Sequence, residues 1–378
     1  MLSAKGRFMI DLRIMILGLD LGTQGLKALL FDAELSVRGR GFQPYPTRHP
    51  RPGWAEQDPL DWERALSAAV AQALASAAQP PSAVQAIGVT GQLDGCLAVG
   101  REGRPLGPAL IWMDRRSELD VAPETLQAIR RLGGVTPDPG HMAAKIRWLQ
   151  QHTRAGREAA CFHQPVSYLV ERLTGQRVFD PGLASTSMLY GLQRADWEPE
   201  LLNAFRIRRE SLPRIAQAEQ PAGGLTAAGS ALTGLPQGVP VAVGTGDDFT
   251  SPLGAGLVEP GDGACVLGTA EVVGVVSRSP RTDPEGLVET HCYPGGMYFV
   301  ENPGWLSGGA LDWLAAVLGL GGAGELEGLA AAAPPGSEGV LFLPALSGAM
   351  APRWVPEARG CFYGLSAAHG RPHLARAV

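Results

Sequence analysis

Three short polar clusters carry the residue types that phosphate chemistry needs. The first is Asp20 followed by Gly22-Thr23-Gln24, inside the stretch LGLDLGTQGLKALLFD from Leu17 to Asp32. A tight glycine-containing turn lets backbone N–H groups point at an anion, and the Thr23 hydroxyl adds a donor. Asp20 beside it offers the carboxylate oxygen that Mg²⁺ prefers, directly or through water. The same residues also fit an ordinary β-hairpin. A second cluster, Leu267-Gly268-Thr269 in ACVLGTAEVVGVVS (Ala264 to Ser277), repeats the pattern more loosely. Neither turn is a Walker loop, since no G-x-x-x-x-G-K-[ST] occurs, and neither opens the helix of a dinucleotide fingerprint. The third cluster is Gly244-Thr245-Gly246-Asp247-Asp248, after the apolar run Pro240 to Val243. Asp247 there either presents a carboxylate from a permissive turn or, with Asp248, caps a helix over Phe249 to Gly256.

The elements that must position these residues follow from apolar periodicity. Met15 to Leu19 and Leu26 to Phe31 read as strands flanking the first turn, and Ser36 to Tyr45 as a third. In GWAEQDP, Asp58 suits a helix N-cap and Pro59 the first helical position. The helix places Trp62, Leu66, Ala69, Val70 and Ala73 on one face as far as about Ala78, and Pro80-Pro81 stops it. Three strands and an amphipathic helix in this order open a ribonuclease-H-like domain. Val84 to Thr90 is the next strand, delivering Gly91-Gln92-Leu93-Asp94-Gly95 at its carboxyl end, where open α/β sheets collect ligands; a plain turn toward Leu97 is the alternative. Asp114 and Arg115 either line a polar cleft or pair at a surface. Lys145, one of three lysines with Lys5 and Lys27, lies in a helix predicted over Gly140 to His152 and reads as solvated or structural. Val166 to Leu173 and Trp197 to Phe205 read as helices, with a strand and turn near Val178 to Thr186. Gly308 and Gly309 open another helix, at an end that either attracts phosphate or permits close packing.

At 378 residues and 45% hydrophobic composition the chain can fill two cores. A net charge of −5 leaves no basic footprint for nucleic acid. Five scattered cysteines without a C-x-x-C pair read as reduced thiols of a cytoplasmic protein. No apolar run approaches the ~18 residues of a membrane helix, and Lys5, Arg7, Asp11 and Arg13 interrupt any signal-peptide core. The expected division is a leader over 1–14, a first domain over 15–258 and a second over 259–378. The sequence stops at Val378 inside an apparent helix without a stop signal, so truncation is expected.

From Met15 to Val378 the motifs LGLDLGTQGLK, GWAEQDP, GVTGQLDG, ALIWMDRR, GHMAAKIRWLQQH, GTGDD, VLGTAE, GGALDWL, LPALSG and RGCFYGLSAAHGRPHLARAV occur in the order found in FGGY carbohydrate kinases. The chain resembles that family, and within it the xylulokinase-like members. The resemblance implies an α/β fold of two actin-like (ribonuclease-H-like) ATPase domains with a cleft between them, the second incomplete. It implies ATP- and Mg²⁺-dependent phosphorylation of a sugar hydroxyl, on a ketopentose such as D-xylulose to give D-xylulose 5-phosphate. Asp247 would be the general base, and Asp20 would position Mg²⁺ and the phosphates. Gly22, Thr23, Gln24 and Lys27 on one side, and Gly268 and Thr269 on the other, would cradle the phosphate chain. Gln92, Leu93, Asp94, Asp247 and Asp248 would meet the sugar, while Gly308 and Asp312 match positions near the nucleotide. Phosphoryl transfer passes through a loose transition state, so such a protein mainly positions the hydroxyl and neutralises charge.

The sequence departs from the family at several of these places. Leu93-Asp94 stands where xylulokinases usually carry Met-His, and Asp248 where they carry Asn. Ala270-Glu271 replaces Ser-Gly, bringing a carboxylate toward the polyphosphate, and Met142 replaces Pro, Ser or Thr. The family's adenosine-gripping segment lies beyond Val378, which predicts weak or no kinase activity for the 378-residue chain alone. The expected partner is a small sugar, with neither nucleic acid nor membrane and with a homodimer left open. The alternatives are a kinase for ribulose, erythritol or glycerol, a non-catalytic sugar-binding or regulatory protein, and an actin-like ATPase with a protein client.

Overall fold

Apolar residues at every second position of Met15–Leu21 (β1) place Met15, Leu17, Leu19 and Leu21 on one buried face. Ile16, Gly18 and Asp20 take the opposite, half-buried face. In this computed structural model, which describes residues 14–267, 270–346, 348–349, 355 and 358–378, β1 turns back into Gly25–Phe31 (β2) and then Val37–Pro44 (β3), all antiparallel. The helix Pro59–Ala77 (α1) covers this hairpin. The Asp58 side chain accepts from the Leu60 N–H at 3.0 Å, Pro59 takes the first turn, and left-handed Ala78 (φ 50°) closes the helix ahead of Pro80. Its buried stripe contains Trp62, Leu66, Ala69, Val70 and Ala73, the face expected from the spacing. Two glycines of β3 let α1 lie directly on the strand. A Cβ on Gly39 would sit 2.2 Å from the Ala73 carbonyl oxygen, and one on Gly41 2.0 Å from that of Ala69.

Val84–Gly91 (β4) runs parallel to β1. Beyond it Pro221–Gly224 (β5) and Pro240–Ala242 (β6) complete one flank, and the two-residue Thr245–Gly246 (β7) pairs with the end of β4. The resulting seven-stranded sheet has the order β5-β6-β4-β1-β2-β3, with β7 beside β4. Two stretches differ from the sequence reading. Only Val178–Phe179 is a strand, and Pro181–Thr186 is a helix rather than a turn. Asp180 caps it, accepting from the Gly182 N–H at 2.7 Å and the Leu183 N–H at 3.0 Å; burial pushes this carboxyl up to about 6. The Asp-Pro pair was the overlooked start signal. Likewise Asp196–Trp197 is a strand, and the helix begins at Pro199.

The chain divides into two units, one running to Ala255 and including His291–Gly296, the other comprising Gly256–Thr290 and Met297–Val378. Within the second, Gly263–Leu267 (β8) pairs antiparallel with Ala270–Ser277 (β9), and β9 with Met297–Leu306 (β10). Leu314, Ala315, Leu326 and Ala375 gather its helices around a small core. Among the described residues no helix is long and apolar enough to cross a membrane.

Candidate active site

Strand register brings two of the three polar clusters together. Asp20 of β1 pairs with Thr90 of β4, and Thr90 with Thr245 of β7; one residue further on, Leu21, Gly91 and Gly246 are aligned in the same way. Two strand spacings, about 10 Å, therefore separate the β1 and β7 backbones where Asp20 and Asp247 leave the sheet. Gly244 makes the approach to β7 possible: its φ is +74°, and a Cβ there would lie 2.2 Å from the Val89 carbonyl oxygen. A Cβ on Gly246 would lie 2.5 Å from Leu93 Cδ2, so Leu93 packs directly beside the Asp247 backbone.

Asp247 opens the helix Asp247–Gly254 (α2), two residues earlier than the sequence predicted. The N-cap is Gly246 and no side chain caps it; Asp247 and Asp248 both lie in the first turn, where the helix dipole favours negative charge. Burial pushes the Asp247 carboxyl up to about 6, the neighbouring Asp20 charge adds to the rise, and backbone N–H groups and Lys27 oppose it. Asp20 Oδ2 accepts from Lys27 Nζ at 3.0 Å, whereas its Oδ1 is buried without a hydrogen-bond partner. An orphaned carboxylate oxygen beside a second carboxylate fits a hard divalent cation such as Mg²⁺. Asp248 is exposed.

The Gly22-Thr23-Gln24 turn lies beside Asp20, with Thr23 half-buried and Gln24 exposed. Side chains from distant parts of the chain surround it. Trp112 Nε1 donates to Thr23 Oγ1 at 3.0 Å, and Gln57 Nε2 donates to the Thr23 carbonyl at 2.7 Å and to Thr47 Oγ1 at 2.9 Å. The Tyr45 hydroxyl donates to the Gly22 carbonyl at 2.5 Å. Burial, with the Asp20 and Asp247 charges nearby, raises the Tyr45 phenol well above its usual range. Gln92, expected at the sugar, is buried behind the turn. Its Nε2 donates to Gln57 Oε1 at 2.8 Å, and its Oε1 is a buried acceptor without a partner. Sequence reasoning left out Tyr45, Gln57 and Trp112; only the amide of Gln57, ahead of a helix cap, offered a signal.

Asp94 takes the left-handed conformation (φ 54°), and its Oδ2 lies 3.1 Å from His141 Nδ1. Burial opposes its ionisation, but His141, Lys145 and Thr186 together hold the carboxyl below its ordinary value. Lys145 is fully buried rather than solvated. It donates to the Asp94 carbonyl at 2.7 Å and to the Gly140 carbonyl, and burial pulls its ammonium down to about 8 against the Asp94 charge. Asp114 is also fully buried and pairs with Arg116 rather than Arg115, whose partner is Asp138. The Arg116 guanidinium lies 3.6 Å over the Trp54 ring and reaches Glu56 at 2.7 Å, fastening the GWAEQDP stretch.

In the second unit, Gly268 and Thr269 lie outside the described residues. Gly308 is the half-buried first residue of the helix Gly308–Val317 (α3), and Asp312 is exposed one turn later. Glu271 is half-buried and lines a hollow of about 240 Å³ with Leu306, Leu343 and Pro344.

Residues 15–254 match the N-terminal domain of the FGGY family of carbohydrate kinases and residues 263–378 its C-terminal domain. The chain belongs to this family: it is a carbohydrate kinase, transferring a phosphoryl group from ATP to a hydroxyl of a sugar or polyol. It is 32% identical over 373 residues to a xylulose kinase of Klebsiella pneumoniae, covering 96% of this chain and 76% of that one. Against a glycerol kinase of Rhodospirillum centenum the identity is 36% over 382 residues, with 96% and 75% covered. The crystal structure of xylulose kinase from Rhodospirillum rubrum superposes with a TM-score of 0.85 at 30% identity, over 96% of this chain and 75% of that one.

Proposed function

We propose that the acceptor is a ketopentose such as D-xylulose, converted to D-xylulose 5-phosphate, with Asp247 as the general base. The observation that carries this reading is the Asp247 carboxyl, half-buried at the head of its helix, neighboured by the Asp20 charge and lifted to about 6 by desolvation. A base with that ionisation is ready at neutral pH yet basic enough to take the proton of an attacking hydroxyl. The hydroxyl oxygen attacks the γ-phosphorus as its proton passes to the Asp247 carboxylate, and ADP leaves. Gly22, Thr23, Gln24 and Lys27 hold the phosphate chain on the first unit. Gly268, Thr269, Gly308 and Asp312 are assigned to the nucleotide by family resemblance. Asp20, through its orphaned Oδ1, holds Mg²⁺, which when bound neutralises phosphate charge. The Leu93 side chain, Asp94 and Asp248 are assigned to the sugar, while Gln92, buried behind the Gly22–Gln24 turn, supports that turn from below.

Glycerol or another short polyol is the second reading. It is favoured by the Leu93-Asp94 pair, which supplies a carboxylate where xylulokinases usually carry an imidazole, and by the glycerol kinase relatives. An ADP-release assay on the full-length protein over D-xylulose, D-ribulose, erythritol, gluconate and glycerol decides between them. Highest kcat/KM on D-xylulose supports the first reading; preference for glycerol replaces it with the second. Undiminished turnover by Asp247→Asn overturns the assignment of the base.

A further inference from the structure

The hydrogen bonds around the Gly22–Gln24 turn have one direction in common: the groups that accept them from neighbouring residues are the turn's own oxygens. The Gly22 carbonyl accepts from the Tyr45 hydroxyl at 2.5 Å and from Gln92 Nε2 at 3.5 Å. The Thr23 carbonyl accepts from Gln57 Nε2 at 2.7 Å, and the Gln24 carbonyl from the Tyr45 N–H at 3.4 Å. The Gly22 N–H is spent within the turn on the Gly25 carbonyl at 3.1 Å. Among the described residues, neither the Thr23 nor the Gln24 N–H donates to a protein acceptor. Three carbonyl dipoles are therefore drawn inward while two adjacent N–H groups are left for a ligand.

The Thr23 hydroxyl is oriented by the same logic. An indole N–H can only donate, so Trp112 at 3.0 Å makes Thr23 Oγ1 an acceptor on that side. The hydroxyl hydrogen then points elsewhere, available to an anionic oxygen. Gln57 is fixed in turn, because its Oε1 accepts from Trp62 Nε1 at 3.0 Å and Gln92 Nε2 at 2.8 Å; its amide cannot flip without facing donor against donor. Tyr45 and Gln57 are both buried, so these bonds form with little competition from water.

We infer that Tyr45, Gln57 and Trp112 form a clamp of positioning residues, which holds the carbonyls of the Gly22–Gln24 turn away from the polyphosphate and presents the Thr23 and Gln24 N–H groups and the Thr23 hydroxyl to it. This rests on reading that turn as the phosphate site. None of the three is a catalytic residue; each acts through the turn. The arrangement explains how a turn of only three residues binds an anion without the glycine-rich loop of a Walker site. Its donors are oriented before the ligand arrives, so little reorganisation accompanies binding.

The variants Tyr45→Phe, Gln57→Glu and Trp112→Phe test it, alongside Thr23→Val. Tyr45→Phe removes one hydroxyl. Gln57→Glu keeps the acceptor for Trp62 and Gln92 and loses the donor to Thr23. Mg-ATP affinity is measured by calorimetry, sugar affinity separately, and kcat and KM by ADP release. Each clamp variant is expected to weaken Mg-ATP about tenfold, as for a lost hydrogen bond to an oriented group, with unchanged sugar affinity; Gln57→Glu also lowers the thermal midpoint, because it buries a carboxylate against the Thr23 carbonyl. Trp112→Phe should add nothing in a Thr23→Val background, since it acts through that hydroxyl. Parental Mg-ATP affinity in the clamp variants, with Thr23→Val impaired, overturns the clamp alone. Parental affinity in Thr23→Val as well removes the phosphate reading and the clamp with it. Equal loss of sugar and nucleotide binding in Tyr45→Phe and Trp112→Phe reduces the three residues to packing and overturns the inference.

Discussion

Lys27 and Asp20 are direct partners in the antiparallel register of β1 and β2, with Lys27 Nζ 3.0 Å from Asp20 Oδ2. The pairing leaves Asp20 Oδ1 without a protein partner and sets an exposed ammonium beside two carboxylates. Asp20, Lys27 and Asp247 consequently act as one electrostatic unit: Asp20 raises the Asp247 pKa and Lys27 lowers it.

The acid limb of kcat against pH should reflect this unit. Asp247 must be ionised to accept a proton, so activity is expected to fall as pH drops through about 6. Removing the Asp20 charge in Asp20→Asn should move that limb to lower pH, even as the maximal rate drops with the loss of the cation oxygen. Lys27→Met should move it to higher pH. A limb displaced the other way in either variant would contradict the assignment of Asp247 as the titrating base.

Asp247→Asn keeps the shape of the side chain and removes the proton acceptor. The expected loss is about 10²- to 10⁴-fold in kcat, with sugar and Mg-ATP dissociation constants changed by less than about threefold, since neutralising one of two adjacent carboxylates relieves repulsion more than it removes contacts. Single-turnover quench experiments separate the phosphoryl-transfer step from binding. A variant that binds poorly but transfers at the parental rate would make Asp247 a binding residue.

Much of this framework was legible in the sequence because its causes are local. The alternation in Met15–Leu21 specified a strand with one buried face, and Asp58-Pro59 specified the start of α1. The family motifs led to the two-domain kinase assignment. What stayed hidden depends on contacts between distant residues. Gln57 and Thr23 are 34 positions apart and Trp112 and Thr23 89, so nothing beside either residue announces the bond. Of the two roles read for Lys145 the structural one holds and the solvated one does not, for a related reason: lysine is rarely buried, and only the fold brings the Asp94 and Gly140 carbonyls to its ammonium. Helix Pro181–Thr186 was missed although its cap was present, because six residues are too few to show a helical period.

Asp94 is the residue on which acceptor selectivity is expected to turn. Its left-handed backbone suits Asp and Asn better than most residues, so Asp94→Asn should fold without backbone strain while losing the charge that holds His141. The sugar KM is expected to rise at least tenfold, which corresponds to about 1.4 kcal/mol, with the ATP KM unchanged. The ranking of acceptors should shift as well, read as the ratio of kcat/KM values across the panel. A uniform loss on every acceptor would instead mean that Asp94 supports the loop without reading the substrate.

Arg116 offers the clearest stability prediction, because nearly all of its charge is committed inside the protein. Its guanidinium binds both oxygens of Asp114, at 2.7–2.9 Å, and Glu56 at 2.7 Å, and it lies against Trp54 and Trp148. Asp114 is fully buried and also accepts from the Ala55 N–H at 2.7 Å. Arg116→Met would leave the Asp114 carboxylate buried without its countercharge, a loss of about 3–5 kcal/mol. Arg116→Lys should recover only part of it, since an ammonium can neither make the bidentate pair nor stack in the same way on the indoles. Urea denaturation gives both values. Pairing Arg116→Met with Asp114→Asn should be less destabilising than the sum of the two single changes, because the second removes the charge that the first leaves stranded. Simple additivity would show that Asp114 and Arg116 contribute separately, through packing rather than through their ion pair.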